Sequence, residues 1–250
     1  DIRHINVISQ LIEKGDKVLH LAAIARFSEA DNDPLLAYEI NVQGTKNIAE
    51  VCERNGAERL VYSSTGSVYM PIKEEPPITE KFEAKGNSVY GCSKYVGELY
   101  VQKSNTPWII LRYAHLYGEG KIGHGLVGGF LDRIQRGLSP ILYNGVQSND
   151  FTYIKDVVCA NILALEAPKE ALNQVYNIGT SEELSAEKAG QMICEIFGWP
   201  KEKVEKKLGR TVDALRFVYD VSKAKKLLKF KANYSFKDGL LDMFNEQNKK

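Results

Sequence analysis

Tyr90 and Lys94 stand four residues apart in NSVYGCSKYVGE, residues 87–98. A phenol has an ordinary pKa of about 10, so a tyrosine takes a proton near neutral pH only where something favours its phenolate. A neighbouring ammonium does so, and on a helix residues four apart share a face. The same spacing occurs at Tyr69 and Lys73 (YMPIK) and at Tyr219 and Lys223 (YDVSK). Pro71 lies inside the first of these and breaks a helix interior. Asp220 or Ser222 reads as the N-cap of the helix after the second, which leaves Tyr219 outside it. Tyr90 and Lys94 pass: Ser88 can cap the helix, and no proline intervenes before Pro107. A second requirement is a hydroxyl near the phenol. LVYSSTGSVY supplies Ser63, Ser64 and Thr65 at the end of an apolar run, where a hydroxyl can bind a substrate oxygen or simply cap the chain.

Elements must bring these groups together. DKVLHLAA (16–23), AERLVYSS (57–64), TPWIILRY (106–113) and NQVYNIG (173–179) are short, rich in β-branched and aromatic residues, and bounded by turn residues, the pattern of strands buried on both faces. Helical patterns over 34–55, 88–104, 125–136 and 156–167 lie between them, so the chain predicts βαβ units and a parallel sheet covered by helices. Ligands in such sheets collect at the carboxyl ends of the strands. Past Gly179 the pattern changes to helices over 185–197, 222–228 and 235–247, which predicts a smaller, mainly helical lobe. The predicted division is 1–118 with 145–179 for the sheet domain, and 119–144 with 180–250 for the lobe.

Composition narrows the functional classes. The 250 residues are 44% hydrophobic and 26% charged with a net charge of +1, the profile of a soluble globular protein. No basic stripe points to nucleic acid, and KEKVEKK (201–207) reads as a solvated helix face. Cys52, Cys92, Cys159 and Cys194 form no C-x-x-C pair, and His4, His20, His115 and His124 show no ligand spacing, so no metal site is expected. Reduced thiols fit a cytoplasmic protein. No apolar run reaches the 18 or so residues of a membrane span, and no signal-peptide pattern opens the sequence.

The ordered motifs together resemble those of the extended short-chain dehydrogenases/reductases, and within them the NAD-dependent epimerase/dehydratase family. DIR (1–3) resembles the segment whose aspartate meets adenine, and HLAA (20–23) the strand end beside the cofactor. NVQGTKNIAEVC (41–52) resembles the helix crossing the sheet, and YSST the catalytic Ser/Thr turn. Tyr90 follows Thr65 by 25 positions, as the family's tyrosine does, and LRYAHLYG, DFTYIKDV, VYNIG and DVSKAKKLL continue the register. The likeness covers nearly the whole chain.

The resemblance implies a Rossmann-type doubly wound sheet, with Thr65, Tyr90 and Lys94 catalytic. It implies contacts to NAD from Asp1, Ile2, Leu21, Ala22, Ala23, Asn41, Ser63, Tyr90, Lys94 and Tyr113, and contacts to a nucleotide-sugar, a UDP-hexose, from Thr65, His115, Asn149 and Arg210. His115 and Asn149 stand where the family often has Asn and Arg near the diphosphate, and Phe217 falls where bulk around the sugar C2 is limited, favouring plain hexoses. Gly66 and Ser67 follow Thr65 in place of the dehydratases' Asp-Glu, so the implied reaction is 4-epimerisation of UDP-glucose and UDP-galactose through transient C4 oxidation. A reductase or dehydrogenase for another substrate, or a non-catalytic sugar-nucleotide binder, are the alternatives. A homodimer packed through the helices over 41–55 and 88–104 is expected. Family members carry a first strand, a glycine-rich phosphate loop and the residue that chooses NAD or NADP ahead of the position of Asp1, so this sequence is expected to be part of a longer chain. GEGKIGHG (118–125) mimics the loop but follows the wrong strand.

Overall fold

Hydrophobic alternation along two strands decides which helix covers which face of the sheet. In a computed structural model that describes residues 1–72, 75–120, 124–208 and 216–247, four strands hydrogen-bond side by side: β1 (Lys17–His20), β2 (Arg59–Thr65), β3 (Trp108–Tyr113) and β4 (Gln174–Ile178). They lie in sequence order and all pairs are parallel. Leu60 and Tyr62 of β2 and Ile110 of β3 pack with α1 (Thr45–Asn55) and α2 (Val89–Lys103). Val61, Ile109 and Leu111, their neighbours in the chain, point the other way onto Val157, Ala160 and Ala164 of the later helix Ile154–Leu165. Period-two side-chain alternation thus gives a sheet covered on both faces. β1 departs most from the expected burial: Lys17 is exposed and Val18 and Leu19 are half-buried, while in β4 Gln174 and Val175 are half-buried and the rest buried.

The register aligns the strand ends. Thr65 pairs with Tyr113, and Tyr113 with Ile178, so the last residues of β2, β3 and β4 form one edge. The segment entering α1 contains a π-helical turn, Glu39–Gly44. Such turns hold one residue more than an α-turn and concentrate at functional sites. Here it brings Asn41 inward, fully buried, where its amide oxygen accepts from the Ile24 N–H at 2.8 Å and its amide nitrogen donates to the Ile24 carbonyl at 2.9 Å and to Ser93 Oγ at 3.0 Å.

A separate core joins α3 (Gly125–Gln135), α4 (Ile154–Leu165), α5 (Ala186–Ile196) and α6 (Phe236–Gln247) through Phe130, Leu131, Ile193, Leu240 and Met243, with Tyr117, Phe151 and Tyr153 beneath them and Ile154 of α4 at its edge. The helix Ser222–Leu227 does not join this core: Ala224, Leu228 and Phe230 pack with β3, β4 and α4. KEKVEKK is not a helix face. Lys201–Lys203 is one 3-10 turn, and Glu205–Lys207 is an exposed strand parallel to Ile141–Tyr143. A charged strand is a normal way to close a sheet edge, and its pairing partner lies too far off in sequence to leave a local signal.

Candidate active site

Helix α2 starts where the sequence placed its cap: Ser88 Oγ accepts from the Gly91 N–H at 3.0 Å. Gly91 then lies so close to the β2 end that a Cβ there would sit 2.7 Å from the Ser67 carbonyl oxygen. The close approach carries Tyr90 and Lys94 to the carboxyl edge of the sheet, where they line a cavity of about 1070 Å³ together with Ser63, Thr65, Tyr113 and His115. Tyr69 and Tyr219 are elsewhere. Tyr69 ends a 3-10 turn with its hydroxyl donating to Asn177, and Tyr219 precedes the helix Ser222–Leu227, whose start is held by Asp220 accepting from the Ser222 N–H at 2.8 Å. Tyr117 and Lys121 also have the four-residue spacing; Tyr117 ends a strand and donates to the Phe236 carbonyl at 3.2 Å.

Burial changes the expected electrostatics. Tyr90 has its pKa raised by burial, against which the hydrogen bond offered by Thr65 works downward. Lys94 is 3% exposed, and burial brings its ammonium down to about 7 while Glu98 works upward. Its Nζ lies 4.1 Å above the Tyr62 ring, a cation–π contact with a buried partner. Helical spacing alone pointed to a phenol acidified by its lysine; in the folded chain desolvation is the larger influence on both groups. Next to them His20, held neutral with its pKa lowered to about 3 by burial and by Lys94, shares a 2.9 Å hydrogen bond with Thr45 Oγ1.

Thr65 Oγ1 accepts from the Ser67 N–H at 3.2 Å, which fixes the turn leaving β2. Deeper along that edge Ser63 Oγ meets the Tyr113 hydroxyl at 2.9 Å, and Tyr113 donates to Asn161 at 2.7 Å. Burial pushes the Tyr113 phenol up to about 12, so it stays a neutral hydrogen-bonding group. Asn161 lines the cavity. Nothing in the sequence singled it out; its α4 position opposite the β3 end exists only after folding.

The remaining expected residues divide. Leu21 and Ala23 line the cavity beside β1, with Ala22 exposed between them. Asn41 does not reach it, its side chain being engaged with Ile24 and Ser93. Asp1 is ion-paired with Arg3 at 2.6 Å, and Ile2 packs against Gly44, both away from the cavity. His115 is exposed in the cavity wall, in edge-to-face contact with Phe217 at 5.2 Å. Asn149 pairs with Phe217 and Leu184 in a small sheet and does not line the cavity. Arg210 lies outside the described residues. Phe27, which the sequence reading passed over, stacks edge-on to Tyr90 at 5.3 Å.

Comparison with known proteins gives the family and the fold. The family model of the NAD dependent epimerase/dehydratase family matches residues 1–179; the chain belongs to that family. A provisionally named UDP-glucose 4-epimerase of Methanocaldococcus jannaschii is 32% identical over 91% of this chain and 75% of its own length. Among solved structures, a Thermotoga maritima UDP-glucose 4-epimerase with UDP-glucose superposes with a TM-score of 0.90 at 27% identity, over 100% of this chain and 83% of the other. A Thermus thermophilus UDP-glucose 4-epimerase complexed with NAD gives 0.86 at 26%, over 99% and 83%. No helix of the described residues is long and apolar enough to cross a membrane, and among those residues no cluster could hold a metal ion.

Proposed function

We propose that the chain acts as an NAD-dependent nucleotide-sugar epimerase that interconverts UDP-glucose and UDP-galactose at C4. The observation that carries this reading is the convergence of Thr65, Tyr90 and Lys94 on one cavity at the carboxyl edge of the sheet. At about 1070 Å³ it exceeds the roughly 300–1,000 Å³ usual for a single small ligand, in keeping with cofactor and substrate side by side. Leu21, Ala23, Ser63, Tyr113 and Lys94 fit the nicotinamide end of the dinucleotide, offering an apolar floor and hydroxyl and ammonium donors. The dinucleotide, when bound, supplies the oxidant for the sugar carbon. Thr65 orients the C4 hydroxyl, Tyr90 takes its proton and later returns it, and Lys94 supplies positive charge beside the phenolate that forms. His115 faces the same cavity as the donor to the nucleotide diphosphate.

Gly66 favours epimerisation over elimination of water. A Cβ at this position would run into the Phe217 ring and lie 2.8 Å from the Tyr219 hydroxyl. The space in which an acid next to Thr65 would act is filled by aromatic side chains. The same Phe217 ring, 2% exposed, bounds the sugar wall and favours plain hexoses. We extend the reading to a homodimer packed through α1 and α2, on whose side Leu35, Tyr38, Leu99 and Tyr100 stay exposed, and to a cytoplasmic setting in which Cys52 and Cys194 remain buried thiols.

Tyr90→Phe in the full-length protein tests the assignment. We expect turnover of UDP-galactose to fall about a thousandfold, within the 10²–10⁴ typical of general acid–base groups, with UDP-sugar binding retained in calorimetry. Turnover within tenfold of the parent overturns the role of Tyr90, and net consumption of NAD or NADPH in place of epimerisation overturns the reaction.

A further inference from the structure

Continuing along the helix face that carries Tyr90 and Lys94, the next position four residues on is Glu98, a carboxylate with no exposure at all. It does not line the cavity, yet it is held by specific buried partners. Arg112 of β3, 4% exposed, grips it with both prongs, Nε to Oε1 at 3.0 Å and Nη2 to Oε2 at 2.6 Å. Ser64 of β2, also 4% exposed, donates to Oε1 at 2.5 Å. Ser64 immediately precedes Thr65 and is the register partner of Arg112. The carboxylate therefore ties the helix bearing the tyrosine and lysine to the strand bearing the threonine, one residue from the reacting hydroxyl. A bidentate, charge-assisted pair fixes orientation as well as distance.

We propose that Glu98 is a positioning residue for the proton transfer: anchored by Arg112 and Ser64, its carboxylate holds Lys94 in the charged form beside Tyr90. The need for such a group follows from burial. Lys94 borders the cavity with Tyr90 and Glu98 one helical turn to either side on its own helix, Tyr62 on β2 at 4.1 Å and His20 on β1, and Arg112 of β3 paired with Glu98. His20 is kept neutral and the tyrosines are phenols, so Glu98 is the sole anion of this set and the one on the lysine's own helix face. Desolvation draws the ammonium down to about 7 even with Glu98 in place; removing that charge shifts Lys94 further toward the neutral form, which offers no cation to the phenolate. Arg112 in turn fixes the carboxylate through its two-pronged contact.

This rests on the proposed role of Lys94, and its test needs no turnover. In the full-length, ligand-free protein carrying ¹³Cε-lysine, the Lys94 resonance is identified by its loss in Lys94→Met and titrated by NMR. Glu98→Gln is expected to move its midpoint down by about one pH unit or more, the scale for a charge within a few ångström, whereas Glu98→Asp, which keeps the charge on a shorter arm, stays within a few tenths of the parent. If Glu98→Gln fails to fold, because it leaves Arg112 buried without a counter-charge, the doubly neutral Glu98→Gln/Arg112→Gln replaces it, with a smaller downward move expected because the Arg112 cation is removed as well. A Lys94 midpoint that is unchanged in the neutral variant, or that moves equally in Glu98→Gln and Glu98→Asp, overturns the proposal. An enzyme that lacks epimerase activity but shows these shifts would sink the proposed function and leave the Glu98–Lys94 coupling standing.

Discussion

The two walls of the cavity are built differently. On the catalytic side, long strands and a fifteen-residue helix meet through buried polar groups with fixed partners: Glu98 with Arg112 and Ser64, Tyr113 with Ser63 and Asn161, His20 with Thr45. The opposite wall is carried by strands of two or three residues, with His115 and Tyr117 of His115–Tyr117 and Phe217 of Arg216–Phe217 lining the cavity, and its contacts are largely between aromatic rings, His115 on Phe217 and Phe217 on Tyr219. Directional bonds in a dry interior hold a reacting constellation to a fraction of an ångström. Aromatic packing on short strands accepts a change of side chain with less disturbance, so chemistry and substrate choice are free to vary separately.

The contrast can be broken most directly at its ion pairs. Arg112→Met strands the Glu98 carboxylate in the interior and should lower unfolding stability by about 3–5 kcal/mol, measured by urea titration; the well-packed replacement of both partners, Glu98→Leu/Arg112→Met, should recover most of that loss. A smaller effect belongs to His20. Its folded value near 3 lies below the ordinary 6.5, so as pH falls through that window the unfolded chain takes up a proton that the folded chain refuses. Stability is therefore present above about pH 6.5 and declines toward pH 3, by up to about 1.4 kcal/mol per unit. Thermal melts of His20→Gln between pH 7 and pH 4.5 should show a shallower decline than the parent. Beside Phe217 of the opposite wall, Arg216 pairs with Glu183 at 2.7 Å and with Glu75 at 3.2 Å while remaining about half exposed. Arg216→Gln should cost no more than about 1 kcal/mol; a loss as large as that at Arg112 would erase the distinction between the walls.

The sequence announces the catalytic side more clearly than the other. Ser88 as a cap, the absence of proline through α2 and the spacing between Thr65 and Tyr90 are local features, and the family resemblance orders them along the chain. The strands are legible because β-branched residues gather between turn residues. What folding adds is burial and distant pairing. The lysine does acidify a phenol in the open, but enclosure raises Tyr90 and lowers Lys94, a reversal no spacing rule contains. Asn161 and Glu98 acquire their roles from α4 and β3, far away in sequence. The strand Glu205–Lys207 has no apolar pattern at all and exists through its pairing with Ile141–Tyr143. The partners of Asn41, whose amide is engaged with Ile24 and Ser93, are likewise set by folding.

The π-helical turn at Glu39–Gly44 sets the two kinds of mutational change against each other. Residue swaps along the flanking helix leave the phase of its turns alone. Removing one residue from the turn restores ordinary helical bonding, yet it rotates everything on one side by about 100° relative to the other. Asn41 would then swing off Ile24, while Thr45, whose hydroxyl donates to the Asn41 carbonyl at 2.7 Å, would keep its place beneath His20. This stretch can tolerate drift in letters but not in length, so a descendant chain one residue shorter here would have a more regular helix and a collapsed rim at the mouth of β1.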